Sequence, residues 1–119
     1  MLTDPYYQYR QNQVETASPG KLLLMLYNGA LKYLRLSKAG IEENNIEKAN
    51  SGLGKTQDII SELTASLDFN QGEISQKLYS LYDYMYQRLA LANIKKDASL
   101  IGEVEIMLTE LRDAWKTSI

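Results

Sequence analysis

Asn12-Gln13-Val14-Glu15-Thr16-Ala17-Ser18-Pro19-Gly20-Lys21-Leu22-Leu23-Leu24-Met25-Leu26-Tyr27-Asn28-Gly29-Ala30 is the stretch that decides the fold. Ser18 is placed to cap the first free backbone N–H groups of a helix, and Pro19 suits the first helical position because it has no N–H to lose. Wound at about 100° per residue, Leu23, Leu26, Tyr27, Ala30, Leu34 and Ile41 fall on one side. Leu22, Met25, Gly29, Tyr33 and Leu36 fall on a neighbouring stripe. A single core uses only the first stripe, so the second has to meet something else.

Three more amphipathic segments follow. Asn44 or Asn45 caps the second, and Asn44 with Glu47 three residues on has the form of a capping box. Ile46, Ala49, Leu53, Thr56, Ile60, Leu63 and Leu67 alternate at spacings of 3 and 4, a full helical seam. Gly52 and Gly54 interrupt it at about 1 kcal/mol each relative to alanine, which points to a close helix contact or a bend. Asp68-Phe69-Asn70-Gln71-Gly72 reads as a turn. The third helix carries Ile74, Leu78, Leu81, Met85, Leu89 and Ala92. Asp97 caps the fourth, whose seam is Ile101, Val104, Leu108, Leu111 and Trp115. Helices of about 30 Å joined by short connections favour antiparallel neighbours. The expected fold is all-α: an antiparallel up-down four-helix bundle over 18–119, preceded by a short Tyr-rich arm at 1–17.

Composition narrows the function classes. The 119 residues suffice for one core, and the chain has no cysteine and no histidine. That removes disulfides, thiolate metal sites, the commonest general base and the Glu-x-x-His ligand pairs of di-iron bundles. No cofactor, metal or enzymatic activity is expected. Thirteen basic and 15 acidic residues are scattered, without the concentrated basic surface that nucleic-acid binding needs. The N-terminus shows no secretory pattern and no apolar run is long enough for a membrane, so a cytosolic protein is expected. Gly52-Leu53-Gly54-Lys55-Thr56 imitates the end of a phosphate-binding loop, but Ala49 stands where its first glycine belongs, and we read it as chance.

Tyrosine is the compositional outlier, nine against one Phe and one Trp. Its apolar ring and polar tip suit surfaces that are wet in one state and covered in another, although tyrosines lining the edge of a core explain it as well. On the third helix Tyr79 and Tyr86 flank the seam on one side, Tyr84 and Leu91 on the other, and Tyr82 lies close to it. Apolar and aromatic positions cover roughly 240° of that helix, more than the stripe a bundle helix needs. One reading is a tightly surrounded helix whose flanks are buried by its neighbours and by Tyr6, Tyr7 and Tyr9. The other is a long groove for a helix or extended peptide. Two over-wide helices, one with Gly29 open to close backbone approach, favour the groove, and the arm would cover it until a partner displaces it.

These residues also resemble a known family. Asn12-Gln13-Val14, Thr16-Ala17-Ser18-Pro19, Met25-Leu26-Tyr27 and Gly29-Ala30 are similar to the N-terminal signature of FliS, the flagellin-specific export chaperones of bacteria. The likeness continues through Ile59-Ile60-Ser61-Glu62-Leu63, Ser66-Leu67-Asp68, Gly72-Glu73-Ile74 and Leu81-Tyr82-Asp83-Tyr84-Met85. It ends with Leu91-Ala92-Asn93 and Glu110-Leu111-Arg112-Asp113-Ala114-Trp115. The resemblance implies an antiparallel four-helix bundle that holds the C-terminal segment of newly made flagellin in the cytosol. Such a chaperone blocks premature polymerisation and keeps flagellin deliverable to the flagellar type III export apparatus. The resemblance further implies self-association of the free protein, as a homodimer, and an N-terminal arm that covers part of the binding surface. It nominates Tyr7, Gln13, Leu22, Met25, Gly29, Tyr33, Ile59, Tyr79, Tyr82 and Tyr86 as client-binding residues. Ser18 and Pro19 set the helix start, while Leu26 and Tyr27 fall on the core side. Asn28 departs from the family, which carries an acidic residue there, and this puts any salt bridge at that position in doubt. The alternative is a non-enzymatic helical adaptor whose second apolar face is a homodimer or other partner interface.

Overall fold

The computed structural model describes residues 18–118; Tyr7, Gln13 and the rest of the arm lie outside them. Four helices follow in order: α1 (Pro19–Glu42), α2 (Ile46–Ala65), α3 (Glu73–Lys95) and α4 (Ala98–Ser118), with a 3-10 turn at Phe69–Gln71 before α3. Local chemistry sets their ends. The Ser18 hydroxyl accepts from the Lys21 N–H at 3.3 Å, with Pro19 in the first turn. Asn45, not Asn44, caps α2, its Oδ1 accepting from the Lys48 N–H at 3.1 Å. The Asn44–Glu47 capping box is therefore not the cap. Asn44 instead takes a left-handed conformation (φ 57°) that reverses the chain, one that asparagine tolerates better than most side chains. Lys96, also left-handed at φ 51°, closes α3, and Asp97 accepts from the Ser99 N–H at 2.9 Å to open α4.

Contacts between helices run in reverse order along the chain. Gly40 meets Ala49, Gly52 meets Tyr33 and Ser37, and Gly29 meets Ile59, so α1 and α2 are antiparallel. Arg35 reaches Glu105 and Asn28 reaches Arg112, so α1 and α4 are antiparallel too. Each helix packs on its two neighbours in a ring, α1–α2–α3–α4–α1. This is the expected up-down four-helix bundle.

The core is formed by Tyr27, Leu31 and Leu34 of α1, Leu53, Ile60 and Leu63 of α2, Tyr82, Met85 and Leu89 of α3, and Ile101, Val104 and Leu108 of α4. Each large side chain removed from water in this way contributes about 1.5–3 kcal/mol. The buried line of α3 differs from the expected one. It passes through Ser75, Tyr82, Met85, Leu89 and Ala92, while Ile74 and Leu81 are exposed. Tyr82 enters the core because its hydroxyl finds the Tyr27 hydroxyl at 2.5 Å, and Ser75 because its hydroxyl donates to the Asp68 carbonyl at 2.6 Å. Ile46, expected in the α2 seam, is exposed at the first position of its helix. Among the described residues, no buried side-chain nitrogen or oxygen lacks a hydrogen-bond partner.

Candidate functional site

The bundle has four outer seams, and they divide into two kinds. Both seams of α4 are stitched by polar groups. Between α1 and α4, Arg35 pairs with Glu105 at 3.0 Å and Arg112 donates to the Asn28 Oδ1 at 3.3 Å. Asn28 thus holds Arg112 through a single bond to its amide oxygen, with no ion pair at this position. Between α3 and α4, Arg88 pairs with Glu103 at 2.9 Å and the Tyr84 hydroxyl donates to the same carboxylate at 2.5 Å. The Tyr84 and Arg88 bonds hold the Glu103 carboxyl below the usual range. Along the length of α2 the seams are different. Among the described residues, the one ion pair that α2 makes is Lys48–Glu43, at the turn from α1. Its two flanks carry apolar and aromatic side chains, and the polar bonds across them run to backbone carbonyls, from Thr56 to Ala30 and from Gln57 to Tyr86.

The first flank is the α1–α2 groove. Gly29 and Tyr33 point toward α2, where Ile59 Cδ1 lies under Gly29 and the Lys55 ammonium stands 5.1 Å from the Tyr33 ring centroid. Leu22 and Met25 continue the same stripe by helical phase, and all four side-chain positions are half-buried. The groove leaves room at Gly29. A methyl group built there would meet only the tip of Ile59, at 3.4 Å, an ordinary contact. Among the described residues, no backbone of another helix approaches Gly29, so the position stays open as the groove reading expects. The close approach belongs to Gly40 and Gly52. A methyl on Gly40 would lie 2.5 Å from the Ala49 backbone nitrogen, and one on Gly52 would lie 2.6 Å from the Tyr33 carbonyl oxygen. Gly54 has open space around it and marks neither a contact nor a bend.

The second flank is the α2–α3 groove, a cavity of about 290 Å³ lined by Ser61, Thr64 and Ala65 of α2 and by Tyr79, Tyr82, Asp83 and Tyr86 of α3. The Gln57 amide donates to the Tyr86 carbonyl at 3.3 Å above it, and Phe69 packs edge-on against Tyr79 below it, with centroids 6.0 Å apart. Tyr79 and Tyr86 are exposed on the walls. Tyr82 is a correction to the expected site: it is 1% exposed and belongs to the core, forming the floor of this cavity and offering no free surface to a ligand. Its hydroxyl pairs with that of Tyr27, which also accepts from Trp115 Nε1 at 3.1 Å. Burial raises both phenol pKa values above the ordinary one. A wider hollow of about 620 Å³ lies beside α3, but Glu73, Gln76, Lys77, Ser80 and Leu81 of that one helix line it, so it has no second wall.

The expected residues therefore separate into two sets on either side of α2: Leu22, Met25, Gly29, Tyr33 and Ile59 on one, Tyr79 and Tyr86 on the other. Sequence reasoning missed the wall of small residues Ser61, Thr64 and Ala65, and it missed Lys55. Neither carries a local signal; only the pairing of helices puts them beside the aromatic residues.

The two grooves carry aromatic and apolar side chains edged by polar groups, the form of a surface that receives a helix or extended segment. Comparison with known proteins bears on which one. The model of the family described as flagellar protein FliS matches residues 2–119. The flagellar secretion chaperone FliS of Bacillus subtilis is 49% identical over 118 residues, spanning 99% of this chain and 88% of the relative. That of Salmonella typhimurium is 39% identical over 108 residues, spanning 89% and 80%. A solved structure described as a flagellar chaperone from bacteria superposes with a TM-score of 0.79, covering 96% of this chain and 97% of that one; at 18% identity it supports the fold alone.

Proposed function

The chain belongs to the FliS family of flagellar proteins, and on that premise we propose that it is a cytosolic chaperone that binds the disordered C-terminal segment of flagellin. By holding that segment it prevents premature polymerisation and keeps flagellin deliverable to the flagellar type III export apparatus. The observation that carries this reading is the contrast among the seams: both seams of α4 are closed by side-chain ion pairs, while along the length of α2, among the described residues, no ion pair crosses and exposed aromatic and apolar side chains edge both flanks. A disordered client loses conformational entropy when it folds on binding, so it needs a long apolar surface to offset the loss. Two grooves that share α2 supply that surface, with Leu22, Met25, Gly29, Tyr33 and Ile59 contacting the client on one side and Tyr79 and Tyr86 on the other. Tyr82 acts from beneath, by fixing the floor.

We assign residues 1–17, with Tyr7 and Gln13, to an arm that covers part of this surface in the free protein and yields to the client, and 18–119 to the chaperone domain. Self-association of the free chain as a homodimer would protect the same apolar surface.

The test is calorimetric titration of flagellin into this protein, with the client intact and lacking its C-terminal segment. The expected result is one-to-one binding of the intact client alone, with a negative heat-capacity change from apolar burial. Equal binding of both clients would place the contact elsewhere on flagellin. Binding of neither, by a protein that dimerises through the α2 flanks, would make those flanks a permanent subunit interface.

A further inference from the structure

One end of the α1–α2 groove carries charges that the fold does not use. Lys32 of α1 and Lys55 of α2 place their ammonium nitrogens 5.7 and 5.1 Å from the centroid of one ring, that of Tyr33. Among the described residues, neither is within 4.0 Å of a carboxylate, whereas Arg35 and Lys48, nearby on the same two helices, are both paired. Two like charges gathered around one ring repel each other, and an anion held near both relieves that repulsion. The position is also an end. Beyond Tyr33 the two helices touch backbone to backbone at Gly52 and Gly40, so the apolar channel that runs up from Leu22 stops here.

We propose that Lys32, Tyr33 and Lys55 form a carboxylate-binding site at the closed end of the α1–α2 groove, which fixes the register of the segment lying in it. The inference rests on the function proposed above and adds to it the chemistry of the occupant: an apolar stripe that ends in a carboxylate. Apolar contacts along Leu22, Met25 and Ile59 favour any greasy segment and allow it to slide. A charge held at one end does not, because sliding by one residue withdraws the carboxylate from both ammonium groups. Charged contacts of this kind contribute specificity and register more than affinity.

The experiment uses the full chain and synthetic peptides of the flagellin C-terminal segment. One peptide has a free C-terminus, one is C-terminally amidated, and a set has each acidic side chain replaced by its amide. The Lys32→Ala/Lys55→Ala variant is expected to bind the free peptide about three- to tenfold more weakly, and its affinity should vary less with salt than that of the wild type. Lys55→Arg, which keeps the charge, should restore most of the loss in the Lys32 background. One peptide of the series should lose the same factor against the wild type and nothing further against the double variant. An amidated terminus behaving so identifies the terminal carboxylate, and an amide-substituted side chain identifies that residue. Unchanged affinity and salt dependence in the double variant, with the wild type still binding, would overturn the carboxylate site and leave the chaperone reading intact. Failure of the wild type to bind any peptide would overturn both.

Discussion

The two ends of the α1–α2 interface are built from the same residue for opposite purposes. At one end Gly40 and Gly52 remove side chains so that backbones touch, and no methyl group fits. At the other, Gly29 removes a side chain and nothing from the bundle moves in, apart from the tip of Ile59 at ordinary contact distance. The first pair of glycines sets how near the helices lie. The third leaves a gap in an apolar groove that a partner can fill. A helical glycine costs about 1 kcal/mol relative to alanine wherever it sits, so each of these positions is retained against that loss for a different reason.

The largest expected effect is at the closed end. Gly52→Ala should destabilise the bundle by about 3 kcal/mol, because the added methyl meets the Tyr33 carbonyl and Ser37 nitrogen and no rotamer change relieves a backbone contact. Chemical denaturation measures it; a neutral result would mean that the helices separate freely and the closed end is not fixed by glycine.

Next comes the tyrosine pair beneath the α2–α3 groove. Tyr27→Phe should cost about 2 kcal/mol, since it strips partners from both the Tyr82 hydroxyl and Trp115 Nε1. The emission of Trp115, the single tryptophan, should shift with it. The same pair makes stability pH-dependent. Both phenols have folded pKa values raised by burial, so their contribution is complete below the unfolded value of about 10 and is lost as pH rises through the raised folded values. Stability of the wild type should therefore fall above about pH 10, and less steeply in Tyr27→Phe.

At the open end itself, Gly29→Leu should lower affinity for the flagellin segment by about tenfold, about 1.4 kcal/mol, while helicity and melting stay near the wild type. Unchanged binding would remove the Leu22–Met25–Tyr33 stripe from the client surface. The smallest effect sharpens the comparison most cleanly: Gly29→Ala should raise stability by up to about 1 kcal/mol, the reverse of Gly52→Ala.

Much of this was legible in the sequence. Ser18, Asp97 and the turn at Asp68 to Gly72 announce their helix ends through side chains that hydrogen-bond locally, and such signals depend only on near neighbours. The second stripe of α1 was legible from its spacing. The failures share a cause. Tyr82 and Leu81 are adjacent in sequence, and which one turns inward depends on a hydroxyl 55 residues away, on Tyr27. Gly29 and Gly52 look alike until the facing helix is known. Lys55 is an ordinary exposed lysine in the sequence and becomes notable only through Tyr33 on another helix. Leu31, in neither expected stripe of α1, is buried because α4 closes over that side of the helix as well.

The most direct measurement is methyl NMR of this protein titrated with the C-terminal segment of flagellin. The Met25 and Ile59 methyl signals should move on saturation, while those of Ile94 and Ile106, exposed on helices away from the α1–α2 groove, should stay in place. Movement of Ile94 and Ile106 with Met25 and Ile59 unmoved would contradict the account.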